Sequence, residues 1–225
     1  MKKYICIFYI LSCYFNVFAD EPHYKNISKI EMDVLRNDKI IGYSNYFFKH
    51  DKDIMIVENY TRFAVEMFGV KVFSINSESK EIYQKDMLIS FESKTLQNEK
   101  SKFVKLNFNK NKNKFIINGS SYVGEATKEN IIGNWWNAKI LDTKTQISPL
   151  SGSVKKQEVN FTNKEEINYK GKKIILFQYK LKSTENLPDD KKLDFDIWLN
   201  PNKGLIFKVK YNRLGSWEYR LKNYE

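Results

Sequence analysis

The stretch LDFDIWLNPNKGLIFKVKYNRLGSWEYRL, residues 193–221, contains three runs in which apolar and charged side chains alternate with a period of two. That period belongs to β-strands with one buried and one wet face. Between the first two runs, Asn200-Pro201-Asn202-Lys203-Gly204 has Pro early and Gly last, which suits a hairpin loop. Centring the hairpin on Asn202 sets Leu199 opposite Leu205, Ile197 opposite Phe207, Phe195 opposite Val209 and Leu193 opposite Tyr211. On the other face Asp196 then meets Lys208 and Asp194 meets Lys210. The second hairpin pairs Tyr211 with Trp217, Val209 with Tyr219, Phe207 with Leu221 and Lys210 with Glu218. Nearly every pair is apolar with apolar or opposite in charge, the arrangement that fixes a register. Lys208 opposite Arg220 is the unfavourable one, and Asp196 on the neighbouring strand offsets it. The segment reads as an antiparallel meander with one greasy and one charged face.

The same period extends toward the N-terminus. Ile30, Met32 and Val34 alternate before a turn at Asn37-Asp38-Lys39, and Ile41, Tyr43, Asn45 and Phe47 follow it. Ile54 to Ile75 reads as two strands broken at Gly69, with shorter strands at 88–95, 102–109 and 115–118. The Asn/Lys run at 107–114 suits a hairpin tip. Only Thr127–Ile140 shows helical spacing, with Ile131/Trp135, Ile132/Trp136 and Trp136/Ile140 four apart, and Gly133 weakens it.

These features predict a mainly β protein: a strongly curved antiparallel sheet, half-barrel or open barrel, of about ten to twelve strands. One short helical segment near 127–140 is expected to cover the concave face. With 225 residues and no linker or repeat, residues 20–225 read as a single domain.

Residues 1–19 read as a cleavable signal peptide. Lys2 and Lys3 precede an uncharged stretch from Tyr4 to Phe15, and Val17-Phe18-Ala19 supplies small residues at the cleavage positions. Ile10-Leu11-Ser12-Cys13 offers an alternative, a lipoprotein acylated at Cys13. Either way the expected location is periplasmic or secreted, with no transmembrane span in the mature chain. Cys6 and Cys13 are the two cysteines, so cleavage leaves no thiol for a disulfide, a nucleophile or a metal.

The formal charge is +11, and only Arg36, Arg62, Arg213 and Arg220 among the 38 basic residues are arginines. Phosphate recognition favours the arginine fork, so a solvated lysine surface is expected and no nucleic-acid partner. His23 and His50 lack metal-ligand spacing, and no cofactor is expected. Asp194 and Asp196, two apart on one strand face, could form an acid/base pair, but the register already gives each a lysine. Gly119-Ser120-Ser121 and Ser151-Gly152-Ser153 lack the strand–turn–helix setting of a nucleophile elbow or phosphate loop.

Trp135-Trp136-Asn137 stands out. The two indoles either plug the core or line an apolar cavity together with Ile197, Phe207, Val209 and Tyr219 on the meander's inner face. Asn137 would serve as a local polar anchor.

Several of these residues carry a resemblance. Trp136-Asn137, Leu141-Asp142-Thr143, Asp194-Phe195-Asp196-Ile197-Trp198, the turn ending in Gly204 and Glu218-Tyr219-Arg220-Leu221 resemble a family of exported bacterial proteins known as a domain of unknown function. Leu35-Arg36-Asn37-Asp38-Lys39-Ile40-Ile41-Gly42 is similar to that family's first hairpin. Ala138 departs from it, since Pro commonly follows Trp-Asn there. More distantly, and at the level of fold, the Pro201–Leu205 turn between two alternating strands resembles hairpins in periplasmic half-barrels of the lipoprotein-carrier type, which hold acyl chains. The family has no assigned activity; the one-sided aromatic lining without catalytic groups is what points to non-enzymatic binding of an apolar or amphipathic ligand, a lipid, acyl chain or lipoprotein segment. The alternative is an envelope module that docks a protein partner through its lysine-rich convex face or a sheet edge, and a hydrolase is a third, weaker reading.

Overall fold

A computed structural model describes residues 24–189 and 191–225. The proposed signal peptide, both cysteines and His23 lie outside the described residues. Strand follows strand: β1 (Lys29–Arg36), β2 (Lys39–Asp51), β3 (Ile54–Met67), β4 (Val70–Gln84), β5 (Met87–Gln97), β6 (Lys100–Asn109), β7 (Lys114–Gly119) and β8 (Tyr122–Thr127). Then come β9 (Ile131–Ile132), a 3-10 turn (Ala138–Leu141), β10 (Thr145–Ile147), β11 (Val154–Tyr169), β12 (Lys172–Ser183), β13 (Asp194–Asn200), β14 (Leu205–Asn212) and β15 (Ser216–Tyr224).

All fifteen strands join one sheet in the order β8-β7-β6-β5-β4-β3-β2-β1-β15-β14-β13-β12-β11-β10-β9. The chain therefore starts at the middle of the sheet, runs out to one edge, crosses, and returns from the other edge to pair β15 with β1. The edge strands β8 and β9 are separated by three residues of chain, so the sheet must curl until its edges approach. Near that gap the loop after β10 meets the β7–β8 turn, with Ser121 N–H donating to Ser151 O at 3.0 Å. The edges do not pair as strands, and the barrel stays open. Every pairing is antiparallel except the short β9–β10 pair. Among the described residues, no helix is long and apolar enough to cross a membrane.

The expected curved antiparallel sheet is present, with more strands than expected. The strands absent from the sequence reading include β11 and β12. Most of β11, VKKQEVNFTNKEEINY, is exposed or half-exposed, so it lacks the apolar alternation that marks a strand. The helical segment shrinks to a single 3-10 turn. Ile131 and Ile132 are extended and pair with Gln146 and Ile147. Gly133 sits so close to the Gln146 side chain that a Cβ there would lie 1.8 Å from its Oε1. Edge pairing thus overrides the i, i+4 spacing of the isoleucines and indoles.

The meander's second hairpin has the expected register: Tyr211↔Trp217, Val209↔Tyr219, Lys210↔Glu218 and Lys208↔Arg220. The first hairpin is displaced. Asp196 faces Lys210, Ile197 faces Val209 and Leu199 faces Ile206, with a bulge between Trp198 and Leu199. The extra residue falls around Phe207 and splits the expected apolar row. Val209 and Ile206 join Ile197, Leu181 and Ile140 in one cluster, whereas Phe207 and Leu205 join Trp198 and Leu176 in another. The aspartates therefore take a different partner: Lys180 Nζ lies 2.5 Å from Asp194 and 3.2 Å from Asp196. Lys208 instead lies 3.9 Å over the Trp198 ring and 3.6 Å from Glu165, and Lys210 pairs with Glu218 at 3.1 Å.

Candidate functional site: a half-open cavity under the crossing segment

The barrel interior is built in layers. Along β2, β3, β4 and β5, register sets Gly42, Phe63, Ile75 and Gln97 in one row. The next row inward is Ser44, Thr61, Ser77 and Thr95, followed by Tyr46, Asn59, Ser79 and Ser93. Beneath these lie Phe48, Val57, Glu81 and Phe91. A belt of hydroxyls and amides is thus held between two apolar layers, and its members bond one another. Ser44 Oγ and Thr61 Oγ1 lie 2.7 Å apart, Asn59 Nδ2 donates to Ser44 Oγ at 3.1 Å, and Ser77 Oγ lies 2.6 Å from Thr95 Oγ1.

The belt faces a cavity of about 580 Å³, within the range of small-molecule sites. Its opposite wall is aromatic, comprising Trp135, Phe195, Tyr211 and Tyr219. Trp135 packs edge-on against Phe195 at 5.0 Å and against Tyr219 at 6.1 Å. Phe63 and Phe73 complete the apolar part toward the opening. The charged groups of the lining, Asp189, Lys192, Asp194 and Arg213, sit at the mouth, where Lys192 pairs with Asp189 at 2.8 Å. The deep end has Tyr46, Asn59, Ser79 and Asn134, and among the described residues no ammonium or guanidinium lines it.

Of the seven residues expected to line a cavity, Trp135 and Tyr219 do so. Trp136, Asn137, Ile197, Phe207 and Val209 are packed into the interior. Ile197 and Val209 close around Ile140 beneath the crossing segment. Trp136 is enclosed by the rings of Tyr24, Phe48 and Tyr83 at 5.0, 5.3 and 5.6 Å, all edge-on. Asn137 caps the 3-10 turn, its Oδ1 accepting from Lys139 N at 3.0 Å. The adjacent indoles therefore divide the two expected roles. Trp136 plugs the core and Trp135 lines the hollow.

Beneath the cavity floor lies a group absent from the sequence reading. Glu81 is 1% exposed and accepts from Tyr83 Oη at 2.6 Å, Asn134 Nδ2 at 2.5 Å and Trp136 Nε1 at 2.9 Å. Burial raises its carboxyl to about 7, although the three donors favour the charged form. Asn134 links this carboxyl to the cavity, and its own Oδ1 is buried without a hydrogen-bond partner among the described residues. Alternation in β4 carries the signal for Glu81, which is in phase with Ile75, Ser77, Ser79 and Tyr83.

The geometry defines a class: open, barrel-like β-sheets with a lined interior. The solved structure of a β-barrel-like protein, a domain of unknown function (DUF1849) from Brucella abortus, is similar at a TM-score of 0.61. The likeness covers 88% of this chain and 97% of that one at 10% sequence identity, and so shows a shared fold. The chain itself belongs to the DUF6134 family, a domain of unknown function, whose model matches residues 32–222. A comparison with curated proteins finds no match.

Proposed function

We propose that this protein is an exported, non-enzymatic binding protein that takes up an amphipathic, lipid-class ligand in the half-open cavity. The observation that carries this reading is the segregation of the cavity lining. Aromatic rings occupy one wall and the approach to the mouth, while hydroxyls and amides occupy the deep wall. Apolar pockets with a few convergent polar groups are the usual form of small-molecule sites. Because the deep end offers hydrogen bonds and no cation, the polar end it suits is uncharged, such as a glycerol ester. A carboxylate placed there would lose its hydration without a counter-charge. The acyl part then runs along Trp135, Tyr219, Phe63 and Phe73 toward the opening. The leader expected at residues 1–19 supports an envelope location for this activity.

The test is uptake of a fluorescent monoacylglycerol, with unlabelled monoacylglycerol and unlabelled fatty acid as competitors, alongside native mass spectrometry of freshly purified protein. The reading expects saturable uptake, stronger competition by the uncharged lipid, and loss of uptake in a Ser79→Phe variant that fills the deep end. No uptake by the wild type, with a clean apo mass, overturns it.

A further inference from the structure

The two rims of the barrel are unlike. Antiparallel pairing places the turns after β2, β4, β6, β11 and β13 on one rim, and their tips are polar: Lys52-Asp53, Lys85-Asp86, Lys110–Asn113, Lys170-Gly171 and Pro201–Gly204. The cavity opens on the other rim, beside the turns after β1, β3 and β14. There Phe68 is 102% and Leu214 91% exposed, with Ile40, Met67, Val70 and Val72 also exposed around them.

Backbone conformation makes these two tips unusual. The two-residue turns Asn37-Asp38, Phe68-Gly69, Lys85-Asp86, Asn98-Glu99 and Lys170-Gly171 all have positive φ at both positions. Such hairpin turns favour Asn, Asp and Gly, because a Cβ is disfavoured in the left-handed region. Phe68 at φ 52° occupies a position that the other four turns fill with Asn or Lys. Leu214 is likewise left-handed, at φ 50°. Among the described non-glycine residues with positive φ, these two are the apolar ones.

The Leu214 tip is held in place. Arg36 Nη2 donates to Leu214 O at 2.5 Å, Trp217 Nε1 to Arg213 O at 2.9 Å, and Ser216 N to Asn37 Oδ1 at 3.0 Å. A strained residue persists only where its surroundings over-determine it. Nothing in the fold requires a large apolar side chain at either tip, since both side chains point into solvent.

We infer that this rim docks onto an anionic lipid bilayer, with Phe68 and Leu214 entering the acyl boundary. Arg213 directly precedes Leu214 and Lys39 directly precedes Ile40, while at the Phe68 hairpin Lys71 faces Glu66 across the pair. Single apolar residues beside basic ones suit the interface between headgroups and acyl chains, and the 36 basic against 27 acidic residues left after removal of residues 1–19, a net charge of +9, favour an anionic surface. A folded protein partner would instead call for a continuous apolar face, whereas these side chains stand on separate hairpins. The inference goes beyond the cavity reading and does not depend on what fills the cavity.

The test is co-sedimentation of the full chain with phosphatidylcholine vesicles containing about a quarter phosphatidylglycerol. The double variant F68N/L214N should partition roughly tenfold more weakly or worse. Its thermal midpoint should stay level or rise, because Asn suits the left-handed backbone. In a second arm, F68W should gain quenching by brominated acyl chains over the wild type, whose four tryptophans, cavity-lining Trp135 among them, set the background. Equal sedimentation of wild type and double variant, or an F68W quenched no more than the wild type, overturns the proposal. Equal binding to phosphatidylcholine alone overturns its anionic character.

Discussion

The Trp136 indole N–H donates to Glu81 Oε1 at 2.9 Å, tying the segment that crosses the barrel to a wall strand 55 residues earlier. The bond satisfies two buried polar groups, each costly if left alone. It also fixes Trp136 in the core, which leaves its neighbour Trp135 to face the cavity.

Replacing Trp136 with Phe keeps an aromatic ring but removes that donor. Unfolding in denaturant should show a loss of roughly 2–4 kcal/mol, from the missing hydrogen bond and the volume left behind. With one donor fewer favouring its charged form, the Glu81 carboxyl should move further up. An unchanged stability would mean that the indole N–H has no structural role.

Glu81 makes stability depend on pH with a definite sign. Its folded value is raised to about 7 from an ordinary 4.5. Between those values the native chain holds a proton that the unfolded chain releases, so stability falls as pH rises from about 4.5 and levels off above about 7. The full swing is on the order of 3 kcal/mol. Glu81→Gln can still accept from Asn134 and Trp136 and can donate to Tyr83. Denaturation midpoints of this variant between pH 5 and pH 8 should be nearly flat. A slope equal to that of the wild type would place the titration elsewhere.

Gly42 should not tolerate a side chain. A Cβ there would lie 2.0 Å from Arg62 O and 2.5 Å from Phe63 Cβ, so the β2–β3 ladder would have to part. Gly42→Ala should cost about 2 kcal/mol or more in thermal or chemical unfolding. A neutral result would mean the strands can slide apart without loss.

Asp194 and Asp196 share Lys180 on a partly exposed face. Asn at both positions should change stability by less than about 1 kcal/mol. Uptake of the fluorescent monoacylglycerol should be unaffected by the change at Asp196. A large loss at Asp196 would assign this face a role that its ion pairs do not suggest.

The architecture was legible where alternation was strong. The Tyr211↔Trp217 hairpin follows from matched apolar and charged rows. The neighbouring hairpin shows the limit of that logic. Moving Ile197 from Phe207 to Val209 is a shift of two that satisfies the same pairing rules, while beyond the bulge Ile206 takes the place expected for Phe207. The bulge that absorbs the odd residue has no composition of its own. Polar strands such as β11 are held by their ladders and carry little periodicity. At the cavity, alternation could place Tyr219 inside and the bulk of the paired indoles could single out Trp135, but neither could show how tightly Ile197 and Val209 close on Ile140. Glu81 was missed because SESKEIYQ reads as a polar stretch, although its phase with Ile75 and Tyr83 points inward.

The central seam of the sheet has a consequence for how the protein is made. β1 pairs with β15, as in Met32↔Leu221 and Val34↔Tyr219. One edge of the first strand must therefore wait, unpaired, until the final strand has left the ribosome. Hairpins β1 through β8 can zip locally as they emerge, but the wall joining Val34 to Tyr219 is built last. A chain truncated before β15 should keep much of its local ladder yet expose a raw strand edge at its very middle, where self-association would begin.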